Sequence, residues 1–259
     1  MPNWTFNQCK VETTDWEYEN KKEEKEAKRQ LDEFIKLSFK LDQEEDAVQS
    51  GGDFPRKTPT LDDKIFTFQG VVPMPKSLLI TSGSSTERGM AYIDWKENGK
   101  AQRIDTILNY AWAKEEIDGR WSANKRRDAL CELFKKDNET WDNDLKEGRI
   151  ALDNIERHGC KDWYDWSNRY WGTKWDACDS HIEDYCLDDS CEYYIQFSFN
   201  TAWCPPYEYL LSLTEKFPLI RITCSVEEES DAFMGNIICQ WGKLVDNTAE
   251  VNYPERSDY

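Results

Sequence analysis

Tyr193-Tyr194-Ile195-Gln196-Phe197-Ser198-Phe199 is the stretch on which the fold turns. Tyr193, Ile195, Phe197 and Phe199 fall on one side of an extended chain, the period-two alternation of a strand with one buried face. Just downstream, Pro205-Pro206 suits the first turn of a helix, and Tyr209, Leu210, Leu213 and Phe217 carry an apolar stripe to Pro218. Leu219 to Val226 again reads as a strand, an acidic turn follows, and Phe233 to Val245 holds one or two more. The last third of the chain therefore predicts strand, helix, strand, strand.

Upstream, residues 4–13 alternate Trp4, Phe6, Gln8 and Lys10 with Thr5, Asn7, Cys9 and Val11, which predicts a short half-buried strand. Leu31, Phe34, Ile35, Ser38 and Leu41 then recur at helical spacing on a charged background, predicting an amphipathic helix over residues 16–41. Residues 42–59, with an acidic run, Gly51-Gly52 and two prolines, read as a loop. Residues 64–72 read as a second strand ending at Pro73, and Ser82-Gly83-Ser84-Ser85 as a flexible connection. From 102 to 158 the pattern is helical: Ile104, Ile107, Leu108, Ala111 and Trp112 form one stripe and Ala129, Leu130, Leu133 and Phe134 another. A third helix runs from Glu139 to His158, with Gly159 placed to stop it.

These elements predict an α+β protein: a ferredoxin-like mixed or antiparallel sheet covered by helices on one face, with a largely helical insertion. The expected core comes from both chain ends, residues 1–80 and 193–259. Residues 81–192 would form the insertion, ending in a Trp-rich stretch and an acidic cysteine-bearing loop.

Composition narrows the function. With 259 residues, 39% hydrophobic, the chain can bury a substantial core. A formal charge of -18 repels nucleic acid and anionic membrane while attracting basic surfaces, so direct nucleic-acid binding is not expected. The start, Met1-Pro2-Asn3-Trp4-Thr5, has neither a basic nor an apolar run, and no segment offers the roughly 20 apolar residues a membrane helix needs. That predicts an unexported protein without a membrane partner, working in a cytoplasm, with most of its nine cysteines reduced.

Several blocks then carry a resemblance. They are Met1-Pro2-Asn3-Trp4; Val72-Pro73-Met74-Pro75; Trp163-Tyr164-Asp165-Trp166 leading to Tyr170-Trp171-Gly172-Thr173-Lys174-Trp175-Asp176-Ala177; and Phe199-Asn200-Thr201-Ala202-Trp203-Cys204-Pro205-Pro206, followed by Phe217-Pro218 and Phe233-Met234-Gly235. In order and content they resemble the phage and plasmid proteins with a YubB-type ferredoxin-like domain. The resemblance implies a ferredoxin-like sheet and a mobile-element setting, and brings no catalytic residues with it. Accessory proteins of such elements often disable host immunity, so the expected role is counter-defence in the host cell cytoplasm. The expected partner is a host defence protein complex, for example a nuclease assembly of the Gabija kind, engaged by a chain that could itself be a homo-oligomer.

Specific residues follow from this. Trp4, Trp163, Trp166, Trp171, Trp175 and Trp203 are expected as structural anchors, although a row of tryptophans can also stack bases or cage a cation. The candidate partner-binding residues are the acids of the outer segments: Asp42, Glu44, Glu45, Asp46, Asp179, Glu183, Asp184, Asp188, Asp189 and Glu192. Such carboxylates can dock onto a basic channel, imitate DNA phosphates, or simply keep a surface solvated. His158, Cys160, Cys178, His181, Cys186 and Cys191 bring soft ligands, but their spacing fits no compact zinc knuckle; ordinary thiols, a structural zinc and a disulfide near Cys178 to Cys191 stay open. No nucleophile elbow, Cys-His string or Walker loop is present, so neither catalytic residues nor a cofactor are expected; an enzyme or small-molecule sequestering protein is the contrasting alternative.

Overall fold

A computed structural model describes residues 3–13, 21–41, 60–136, 140–188 and 192–249. The chain divides into two compact units, Met1–Pro73 with Ser167–Tyr259, and Met74–Trp166. The division differs from the expected 1–80, 81–192 and 193–259 by assigning residues 167–192 to the first unit and 74–80 to the second.

The first unit is built on a six-stranded sheet. Its strands are β1 (Trp4–Thr13), β4 (Cys178–Cys186), β5 (Tyr194–Ala202), β6 (Ile220–Glu228), β7 (Met234–Gln240) and β8 (Lys243–Asn247). Their spatial order is β4-β5-β1-β6-β7-β8, every neighbouring pair antiparallel. The N-terminal strand is thus central, with Cys9 opposite Phe197 on one side and Cys224 on the other. Helix α8 (Tyr207–Lys216) connects β5 to β6 with β1 lying between them, the split arrangement of ferredoxin-like folds.

One face of this sheet is covered, as the alternation requires. Val11, Ile195, Phe197, Phe199, Ile222, Cys224, Ile237 and Cys239 are all buried on it. Helix α1 (Lys21–Ser38) contributes Leu31, Phe34 and Ile35, and α8 contributes Tyr209, Leu210 and Leu213. Short strands β2 (Phe39–Leu41) and β3 (Lys64–Phe66) pair with each other and add Phe39 and Phe66, the latter with its ring centroid 4.6 Å from Phe197.

Three expectations fail in this unit. Residues 39–41 leave the helix because Phe39 pairs with Phe66 and joins the aromatic core, outweighing helical periodicity. The strand expected over 64–72 stops at Phe66. Thr67 accepts a hydrogen bond from the Gln69 amide and donates to the Asp176 carboxylate, which also accepts from the Phe68 amide, so polar capping bends the chain into a 3-10 turn. The acidic segment 178–186, expected as a loop, is the edge strand β4, held to β5 through two register shifts. The start of the 16–41 helix and the 42–59 loop fall outside the described residues, as do Asp42, Glu44, Glu45, Asp46, Asp189 and Cys191.

The second unit is helical. It holds α2 (Ser84–Lys96), α3 (Gln102–Leu108), α4 (Ala111–Glu116), α5 (Ala123–Lys136) and α6 (Trp141–His158), and the first half of α7 (Trp163–Tyr170). Ala91, Ile104, Ile107, Ala113, Leu130, Cys131 and Phe134 form its core. The expected stripe breaks after Leu108: Ala111 and Trp112 begin a separate helix and are exposed. Gly159 stops α6 as expected, taking the left-handed φ of 70° that glycine tolerates. Helix α2 is an element the sequence reading did not contain.

Candidate functional site

The uncovered face of the six-stranded sheet is where the outer acids and most chemistry-bearing side chains of the first unit gather. Strand register sets its layout, because residues paired across strands share a face. One row crosses five strands as Cys178, Asn200, Phe6, Glu227 and Met234. The next is His181, Ser198, Gln8, Ser225 and Asn236, polar from end to end. A third begins Asp184, Gln196, Lys10, Thr223. The first two rows, with Asp179 in place of Cys178, line a shallow trough of about 550 Å³.

The β4 carboxylates face this surface because bulges aim them there. Asp179 sits at a left-handed φ of 47° and accepts from the Asn200 amide at 3.3 Å. Glu183 accepts from the Ser198 hydroxyl at 2.6 Å, and Asp184 from the Tyr194 hydroxyl at 2.6 Å. All three side-chain donors are neutral, so each acid is positioned without its charge being cancelled. Asp184 in turn raises the Tyr194 pKa by accepting its proton in a hydrogen bond. Glu192 behaves differently: it pairs with Lys10 at 3.1 Å. Partial burial works against the Lys10 charge, but hydrogen bonds to Glu12 and Glu192 outweigh it and raise the pKa. Asp188 is exposed beyond the end of β4.

The tryptophans divide. Trp171 is buried, with its indole N–H donating to the Val72 carbonyl at 3.0 Å and its ring beside Phe68. Trp4 and Trp175 are half-buried neighbours, ring centroids 6.2 Å apart. In the second unit Trp166 is buried and Trp163 half-buried. Trp203 is not an anchor of this kind: it is 51% exposed at a left-handed φ of 77°.

No group of three or more His, Cys, Asp or Glu among the described residues could hold a metal ion. His158 lies near the Ser77 hydroxyl in the second unit, whereas His181 belongs to the sheet of the first. Cys186 is disulfide-bonded, while Cys160 and Cys178 are free thiols. Burial, then the neighbouring Asp179 and Asp176, push the Cys178 pKa up, which disfavours its thiolate as a nucleophile. The sequence reading missed Phe6, Gln8, Met234 and Asn236 as site residues. The alternation of their strands was the available signal, since every second residue must face away from the covering helices.

Among the described residues no helix is long and apolar enough to cross a membrane. The architecture is that of an α+β protein with a ferredoxin-like domain whose sheet leaves one polar, acid-bearing face uncovered. Residues 171–255 match the family model described as the ferredoxin-like domain in Api92-like protein. A solved structure, the protein api92 from Yersinia pseudotuberculosis, aligns with 98% of this chain and 100% of its own at 12% identity, with a TM-score of 0.36. No curated protein matches the chain.

Proposed function

We propose that the chain acts by binding another protein through the uncovered face of its sheet, and that it serves a mobile element by blocking a bacterial defence complex. A defence nuclease assembly of the Gabija kind is the target class. The supporting observation is the set of Asp179, Glu183 and Asp184, each fixed by a neutral donor on β5 and left with its charge to meet a cationic surface. The mobile-element setting rests on the resemblance of the Trp-rich blocks.

The same neutral fixing favours a second reading, in which the carboxylates imitate DNA phosphates toward a nucleic-acid-binding protein. Affinity purification from host lysate tests both, using the intact chain and a triple variant Asp179→Asn, Glu183→Gln, Asp184→Asn. The intact chain is expected to retain a defence complex that the variant loses, and cells carrying the variant to regain phage resistance. Capture confined to nucleic-acid-binding proteins, and lost as salt rises, would move DNA imitation ahead. Unchanged resistance with the triple variant would overturn the defence role.

A further inference from the structure

The trough on the uncovered face carries more information than its charge. Its residues come from two cross-strand rows, so its long axis runs across the strands. The rows are two residues apart, roughly 7 Å, which admits one extended chain and is too narrow for a helix of about 10 Å. Along the axis, strands sit about 4.8 Å apart. Taking β4 as the origin, Asp179 stands near zero, Asn200 near 5 Å, Phe6 near 10 Å, Glu227 near 14 Å and Met234 near 19 Å, all approximate. Phe6 and Met234 are 48% and 60% exposed, large apolar side chains with water over them. Among the described residues no Lys or Arg lines the trough, while Asp179 and Glu227 do.

An extended peptide rises about 3.3 Å per residue and turns alternate side chains to one side, so its downward side chains recur every ~6.7 Å. Placed along the axis, the first lies over Asp179, the third between Asn200 and Phe6, the fifth over Glu227 and the seventh at Met234. We propose that the trough receives an extended segment of a partner protein with basic side chains four residues apart, over Asp179 and Glu227, and apolar side chains at the third and seventh positions, against Phe6 and Met234. The proposal rests on the protein-binding reading above and gives the partner a chemistry: basic, x, apolar, x, basic, x, apolar.

The probe is a fluorescent heptapeptide with arginine at positions 1 and 5, leucine at 3 and 7 and serine elsewhere. Its binding to the intact chain is read by anisotropy at low salt and by amide NMR shifts. Binding is expected to shift amides around Gln8, Ser198 and Ser225. It should weaken at least about tenfold with Asp179→Asn/Glu227→Gln, and likewise with Phe6→Ser/Met234→Ser. A peptide of the same composition with its arginines adjacent should also bind more weakly. All four substituted side chains are exposed, and the amide pair keeps their shape, so loss of fold in one variant leaves the other as the test. No binding, binding to both variants as tight as to the intact chain, or shifts confined to other surfaces overturns the proposal. If the peptide occupies the trough while β4 variants leave phage resistance unchanged, the docking site stands and the counter-defence role falls. If cells respond to β4 variants while the peptide ignores the trough, the defence role stands and the docking site falls.

Discussion

Trp171 and Trp203 come from two separate Trp-bearing blocks of the sequence and do opposite things. Trp171 is 3% exposed, and its N–H is satisfied by Val72. Trp203 projects into solvent from a backbone conformation that costs a non-glycine residue about 1 kcal/mol or more. Trp171→Ala should therefore lower stability by roughly 3–5 kcal/mol, through lost burial and an orphaned carbonyl. Trp203→Gly should stay within about 1 kcal/mol of the parent, because relief of the left-handed φ offsets the lost contact area. Urea unfolding of the two variants reads both values, and an equal loss would show that Trp203 is a structural anchor after all. Sequence could identify both residues as important but not separate them, because φ depends on the turn that ends β5 and not on side-chain type. The outer acids were legible as a class. That Asp179, Glu183 and Asp184 meet neutral donors while Glu192 meets Lys10 was not, since those partners are supplied by strand pairing.

Elements with a buried alternation were readable: β5, β6 and α8 follow their apolar periodicity closely, and β1 alternates too, although its buried face is Thr5, Asn7, Cys9, Val11 and Thr13. The two missed elements lack that signal. Strand β4 carries Asp179, Glu183 and Asp184 and has two bulges, the profile of an edge strand protected from further pairing. Helix α2 contains Gly89, a residue that usually argues against a helix. The structure explains the glycine, because α2 crosses α6 closely. A Cβ on Gly89 would sit 2.0 Å from the Asp144 carbonyl oxygen, and one on Gly148 would sit 2.5 Å from the Gly89 carbonyl carbon. The clash outweighs the helix propensity alanine brings, so Gly148→Ala should destabilise by about 1–3 kcal/mol. Thermal unfolding followed by far-ultraviolet circular dichroism measures it; a stabilised variant would mean the helices do not approach this closely.

Over the whole molecule, charge is distributed so that acid affects the helical unit in a defined direction. Glu97 bonds Arg149 through two hydrogen bonds of 2.7 and 2.6 Å, and Asp105 bonds Arg127 through two of the same lengths. The arginines hold both carboxyls below the ordinary carboxylate range. A depressed pKa contributes stability above the unfolded value of about 4 and loses it as pH falls through the folded value. Asp105→Asn should therefore melt below the parent at pH 7, and the difference should narrow as pH falls below about 4. A gap that persists at low pH would mean the side chain acts through packing and not through its charge. Asp176 of the first unit has the opposite sign, because burial raises its pKa despite hydrogen bonds from Thr67, Phe68 and Ala177. Its contribution fades as pH climbs through the folded value.

The central place of β1 has a consequence for synthesis. Residues 4–13 are made well before both flanking strands, 194–202 and 220–228. A nascent chain must therefore carry both edges of this strand unpaired until those strands emerge, at about 5–20 residues per second. The local helices of residues 84–158 can form in the interval, and the pairing around β1 is complete only once residue 228 has been made.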